Sequence, residues 1–225
     1  MGSTTINEEQ YTQYFNNLIK GRRIPCYNII KELIAKSFNI KTLYQDLMQR
    51  SLYVIGQLWE YNKITVATEH MATLITESLM NQISAQSPIG QSVNKTAIIT
   101  SVEDEPHQIG SKMVADILEL NGWNAICLGA NTPIEELINF TKEIKPDLVG
   151  LSMSVYFHME TLKKTLQLLN ENFKEMPLIV GGQALRQSGD SIIRGTENST
   201  YIPNLGALED YIKNFQQVRE KVKPT

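Results

Sequence analysis

The spacing of apolar residues changes near residue 90, and that change constrains the fold more than any other feature of the chain. From about Asn7 to Ser87 apolar side chains recur every three or four positions, as in Leu43, Leu47, Met48, Leu52, Ile55 and Leu58, and again in Ala67, Met71, Leu74, Ile75 and Leu79. A helix turns once in about 3.6 residues, so this spacing lines apolar groups along one face. Breaks at Gly21-Arg22-Arg23-Ile24-Pro25, Phe38-Asn39-Ile40 and Tyr61-Asn62-Lys63-Ile64 divide the region into four helices, with Thr65 placed to cap the last. The segment Ser87-Pro88-Ile89-Gly90-Gln91-Ser92 is short, polar and contains Pro and Gly, as linkers between compact units do.

After that linker, β-rich runs at Ala97–Ser101, Ala125–Leu128, Leu148–Ser152, Leu178–Val180 and, more weakly, Ser199–Ile202 alternate with helical stretches. These begin at Gln108, Pro133, about His158 and Leu205. Strands separated by helices build a parallel sheet covered on both faces. The expected fold is therefore α/β: an N-terminal four-helix bundle over residues 1–88, then a doubly wound, Rossmann-like (flavodoxin-like) parallel five-stranded sheet over residues 93–225. A chain of 225 residues can bury both cores.

Charge and cysteine usage exclude several roles. The formal net charge is −3 and no basic block is present, so the electrostatic footprint of direct nucleic-acid binding is missing. No run approaches the roughly 18 apolar residues of a spanning helix, and no membrane role is expected. Cys26 and Cys127 lie far apart without metal-ligand spacing. Cys127, in an apolar strand, reads as a small hydrophobe, and a reducing cytoplasm is the expected location.

Ligands on such sheets bind at the carboxyl ends of the strands. Three sequence elements fall there: Glu105-Pro106-His107-Gln108-Ile109-Gly110 after the first strand, Ser152-Met153-Ser154 after the third, and Gly181-Gly182 after the fourth. The first loop has neither the three spaced glycines of a dinucleotide site nor a phosphate-cradling Gly-Lys-Ser/Thr. It offers a histidine, and neutral imidazole is a good ligand for a transition metal. One protein ligand does not hold a bare metal, so a metal already carried in a macrocycle is the expected guest. The double glycine lets a ligand approach the backbone closely.

The pattern Glu105-x-His107-x-x-Gly110, 41 residues, Ser152-x-Ser154, 26 residues, Gly181-Gly182 resembles the cobalamin-binding domain signature Asp-x-His-x-x-Gly, Ser-x-Leu, Gly-Gly. The resemblance implies that His107 is the lower axial cobalt ligand, displacing the cofactor's own dimethylbenzimidazole. That base would enter a pocket lined by Ser152 and the Gly181-Gly182 backbone. Glu105 stands for the family's aspartate and Ser154 for its leucine. In cobalamin domains of the methionine-synthase type, a helical bundle caps the upper face of the cofactor. Within the first half, Trp59, nine residues, then Glu69-His70 is similar to the Trp-x9-Glu-His motif of CarH-type adenosylcobalamin photoreceptors. By that resemblance Trp59 packs on the adenosyl group, Glu69 hydrogen-bonds it and His70 helps to line the space. Two departures stand out. Too few residues precede the bundle to encode the helix-turn-helix domain of those photoreceptors, and Glu60 occupies the place of the histidine that captures cobalt after light.

Two functions follow as expectations. The first is a stand-alone adenosylcobalamin light sensor, in which photolysis changes bundle packing and then self-association, as a homo-oligomer with a light-dependent state, or binding to an effector protein. The alternative is a corrinoid carrier that shuttles methyl groups between two enzymes on methylcobalamin. Trp59 and Glu69 favour the sensor at this stage, because a methyl group needs no indole pocket.

Overall fold

The structure, a computed structural model, describes residues 5–88, 90–186, 189–193, 196 and 198–220. It divides into two compact units, Met1–Ser87 and Pro88–Thr225. Residue Ile89 of the expected linker lies outside the described residues.

The first unit is helical. Its elements are α1 (Glu8–Leu18), α2 (Arg23–Ala35), α3 (Ile40–Thr42), a π-helical segment Leu43–Gln49, α4 (Arg50–Glu60) and α5 (Val66–Ser84). The last three before the turn at Tyr61 run on without interruption, so four helices are present among the described residues, as expected. Asn7 opens α1 with a capping box shared with Gln10, and Asn39 accepts from the Thr42 amide at the start of α3. Thr65 accepts from the Thr68 amide and caps α5 as expected. The first break is narrower than Gly21–Pro25, because Arg23, Ile24 and Pro25 already form the first turn of α2, where a missing amide hydrogen costs no helical bond. Tyr14, Leu18, Leu33, Leu47 and Leu79 are among the fully buried core residues.

Two details depart from simple helical spacing. The π segment inserts extra residues per turn and rotates the buried face, so that Tyr44 and Ser51 are buried while Leu52 and Leu58 are only partly covered. On α5 the buried line runs through Ala72, Ile75, Thr76 and Leu79, leaving Leu74 exposed.

The second unit is a parallel sheet in the order β2-β1-β3-β4-β5, and the chain has the α/β Rossmann-like fold. Its strands are β1 (Thr96–Ser101), β2 (Asn124–Gly129), β3 (Leu148–Ser152), β4 (Leu178–Gly181) and β5 (Ser199–Tyr201). The main crossover helices are α6 (Ile109–Leu120), α7 (Ile134–Ile144) and α8 (Met159–Asn172); the short α9 (Gly189–Ile192) precedes β5 and α10 (Leu205–Glu220) ends the described chain. β1 and β3 lie inside the sheet and are buried almost throughout, whereas β2 is an edge strand with partly open residues. Cys127 sits on that edge and is exposed. Ile98, Val149, Leu151 and Val180 pack with Leu137, Leu162 and Leu166 into one core. Strand order reverses between β1 and β3, and the carboxyl ends of the strands at such a switch point are where parallel sheets of this kind bind ligands.

Candidate functional site

The loop from β1 to α6 and the loop leaving β3 meet at the switch point, where Ser101 pairs in register with Ser152. A tight turn starts the first loop, with the Glu105 amide donating to the Val102 carbonyl at 3.1 Å. It turns the Glu105 side chain inward, where it is fully buried. Its Oε1 contacts His107 Nδ1 at very short range and accepts the His107 amide at 3.2 Å. Its Oε2 accepts the Ser154 and Val155 amides, each at 2.9 Å. One carboxylate thus ties the two loops together across 49 and 50 residues of sequence. Burial pushes the Glu105 carboxyl up, but the hydrogen bonds from His107, Val155 and Ser154, together with the charge on His107, outweigh it and hold the group below its ordinary value.

The His107 ring is half-exposed. With Nδ1 engaged by Glu105, ligation of a metal falls to Nε2, and the carboxylate sets both the tautomer and the basicity of the ring. The His107 carbonyl accepts the Ser101 hydroxyl at 2.8 Å, and Ser101 Oγ lies 3.3 Å from Ser111 Oγ, which in turn donates to the Gln108 carbonyl at 2.8 Å. Gln108 occupies the N-cap position of α6 without a side-chain capping bond, and Ile109 and Gly110 form the first two residues of the helix. Gly110 allows a close crossing, because a Cβ there would stand 2.8 Å from Ser152 Oγ. At the end of β4, Gly181 pairs with Ser152. Gly182 has φ +117° and passes so near β3 that a Cβ would lie 2.1 Å from the Met153 carbonyl oxygen.

The structure therefore brings Glu105, His107, Gln108, Ile109, Gly110, Ser152, Ser154, Gly181 and Gly182 to one edge of the sheet. Ser154 acts through its backbone amide, not its side chain. Sequence reasoning missed Val155, which contributes the same way, and Ser101 and Ser111, whose hydroxyls back the loop. A serine closing β1 was the only available signal for the last pair.

Trp59, Glu69 and His70 belong to the helical unit. Trp59 stands in the last turn of α4 and is 49% exposed. Glu69 lies in the first turn of α5, where the helix dipole favours a carboxylate. It accepts the Thr73 hydroxyl at 2.9 Å, and its other oxygen lies 3.7 Å from His70 Nε2. The His70 ring is largely exposed.

Among the described residues no group of three or more His, Cys, Asp or Glu could hold a bare metal ion. A single imidazole backed by a buried carboxylate suits a metal whose other positions are filled by a macrocycle. Also among the described residues, no helix is long and apolar enough to cross a membrane.

Comparison with known proteins agrees with this chemistry. Residues 95–202 match a family model described as a B12 binding domain, and residues 10–84 match a second model of the same description. The HTH-type transcriptional repressor CarH of Myxococcus xanthus is 26% identical over 160 residues, covering 71% of this chain and 52% of that protein. Dimethylamine corrinoid protein 2 of Methanosarcina acetivorans is 27% identical over 138 residues, covering 60% of this chain and 64% of its own length. The chain thus spans about half of the first relative and under two thirds of the second. In fold it is similar to the monomethylamine corrinoid protein of Methanosarcina barkeri, with TM-score 0.77 and 17% identity over 92% of this chain and 99% of that one.

Proposed function

Because this chain is a cobalamin-binding protein with an N-terminal helical unit, matched by B12 binding models over residues 10–84 and 95–202, we propose that it is a corrinoid carrier, passing methyl groups between two partner enzymes. The observation that carries the cofactor's place is the Glu105 clamp, which fixes His107 at the β1/β3 switch point. When bound, cobalamin supplies a cobalt centre able to accept and release a methyl group. His107 would hold the cobalt through Nε2, since Nδ1 is engaged by Glu105. Glu105 keeps the proton of Nδ1 in place and makes the ring a better donor, while the Ser154 and Val155 amides stop the carboxylate from swinging away. Ser152 and the side-chain-free backbone of Gly181-Gly182 would line the path of the cofactor's nucleotide tail. Glu105→Gln replaces one acceptor by an amide group that cannot satisfy both His107 and two backbone amides. The expected result is cobalamin binding weaker by about 10–100-fold, measured by titration followed in the visible spectrum.

Carrier is favoured over sensor on two features of the helical unit. Both oxygens of Glu69 have neighbours on their own helix, Thr73 and His70, and Glu60 stands where the light sensors have a cobalt-capturing histidine. Support also comes from the dimethylamine corrinoid relatives and from the likeness in fold to a corrinoid protein. The sensor remains a second reading because of one observation, the spacing of a half-exposed Trp59 to Glu69 and His70.

Reconstitution separates the two. A carrier is expected to take methylcobalamin at least as well as adenosylcobalamin and to keep its oligomeric state under green light, as read by size-exclusion chromatography. Strong preference for adenosylcobalamin, with a change of oligomeric state after illumination, would overturn the carrier and establish the sensor.

A further inference from the structure

We infer that Asn131, in the loop after β2, is a positioning residue for the cobalt-ligating histidine. The inference rests on the reading of His107 as the lower ligand. It is independent of the choice between carrier and sensor.

Asn131 closes a two-point clip over the loop that carries Glu105 and His107. Its Oδ1 accepts the Asp104 amide at 3.0 Å, and its own amide donates to the Glu105 carbonyl at 3.2 Å. The two bonds grip consecutive residues of the site loop, Asp104 and Glu105. Both partners adopt the left-handed backbone region, Asn131 at φ 54° and Asp104 at φ 66°. Asn and Asp are the residues other than glycine that enter this region most readily. The loop holding Asn131 is anchored to the same strand end, since Thr100 Oγ1 donates to the Gly129 carbonyl at 3.3 Å and lies 2.9 Å from Thr132 Oγ1. Glu105 is therefore held at three places: its side chain by the β3 loop, its amide by the Val102 carbonyl and its carbonyl by the β2 loop. The β3 contacts fix where the carboxylate sits. The Asn131 clip fixes the direction of the backbone that carries it, and through it the angle at which His107 presents Nε2.

Asn131 acts on the site through the backbone of Asp104 and Glu105. A role confined to folding would alter stability alone, whereas a positioning role alters the histidine-ligated fraction at equal stability.

The test compares Asn131→Gly, Asn131→Asp and His107→Ala with the wild-type full chain, each titrated with cobalamin. Readouts are the visible spectrum of the histidine-ligated form, the imidazole NMR resonances of His107 in the cofactor-free protein and the urea unfolding midpoint. Glycine keeps the backbone conformation and the amide bond but removes Oδ1; aspartate keeps an acceptor. Asn131→Gly is expected to weaken histidine-on binding by about three- to tenfold, the value of one hydrogen bond, and to shift the His107 resonances. Asn131→Asp should stay within about twofold of wild type. Equal spectra, affinities and His107 resonances in wild type and Asn131→Gly overturn the positioning role while leaving His107 as ligand. Indistinguishable spectra of wild type and His107→Ala overturn both readings together.

Discussion

His107→Ala is expected to abolish the histidine-ligated spectrum of the bound cofactor and to weaken cobalamin binding by about 100-fold or more. The magnitude follows from what is removed. Loss of an outer partner of a metal ligand costs roughly 10–100-fold, and loss of the ligand itself exceeds that. Among the described residues no group of three or more His, Cys, Asp or Glu is assembled that could hold the metal in its place. The fold should survive, because the ring is half-exposed and Glu105 keeps the amides of residues 107, 154 and 155 as donors. The unfolding midpoint in urea is therefore expected near that of the wild type, which separates ligand loss from misfolding. Free imidazole should restore part of the spectrum by entering the vacated space. A histidine-ligated spectrum that persists in the variant would remove His107 from the metal.

The parts of this site that were legible in the sequence are those carried by local spacing. A histidine two residues after a carboxylate, between a strand pattern and a helix pattern, places itself in a strand-to-helix loop at the ligand edge of a parallel sheet, and it is found there. The glycines were legible for the same reason. What could not be read was the joining of distant segments. Glu105 grips two backbone amides about fifty residues away, and an amide leaves no trace in residue type. This also explains why Ser154 in place of leucine does no harm to the clamp. Asn131 escaped because its partners are backbone groups of another loop. The exposure of Cys127 could not be read either, because strand order, not strand composition, makes β2 an edge. Leu52 was misplaced because a π segment shifts the buried face, and Leu74 because the buried line of α5 runs through Ala72, Ile75, Thr76 and Leu79, which the apolar pattern does not single out.

Gly182→Ala is expected to destabilise the sheet unit by about 3 kcal/mol or more, and Gly181→Ala by much less. Gly182 sits at φ +117° and ψ 165°, a region that costs a residue with a Cβ about 1–3 kcal/mol. The added Cβ would also lie 2.1 Å from the Met153 carbonyl oxygen and 2.7 Å from Met153 N. Those are backbone atoms, so relief requires movement of the chain, at a further cost of about 1–3 kcal/mol. The segment that must move is Met153-Ser154-Val155, held to β4 by the Met153 amide on the Gly181 carbonyl at 3.0 Å. Shifting it draws the Ser154 and Val155 amides away from Glu105, so the clamp on His107 loosens with the fold. At Gly181 the φ is not positive, and a Cβ would meet only the Ile202 carbonyl oxygen at 3.0 Å, a contact that small adjustments relieve. A nucleotide tail passing both glycines would feel either methyl group, so stability and binding respond differently. Urea unfolding of both cofactor-free variants should show the large loss in Gly182→Ala alone, while titration with cobalamin should show weaker binding in both. Equal stability of the two variants would mean that the close crossing of β3 and β4 does not set the requirement for glycine at 182.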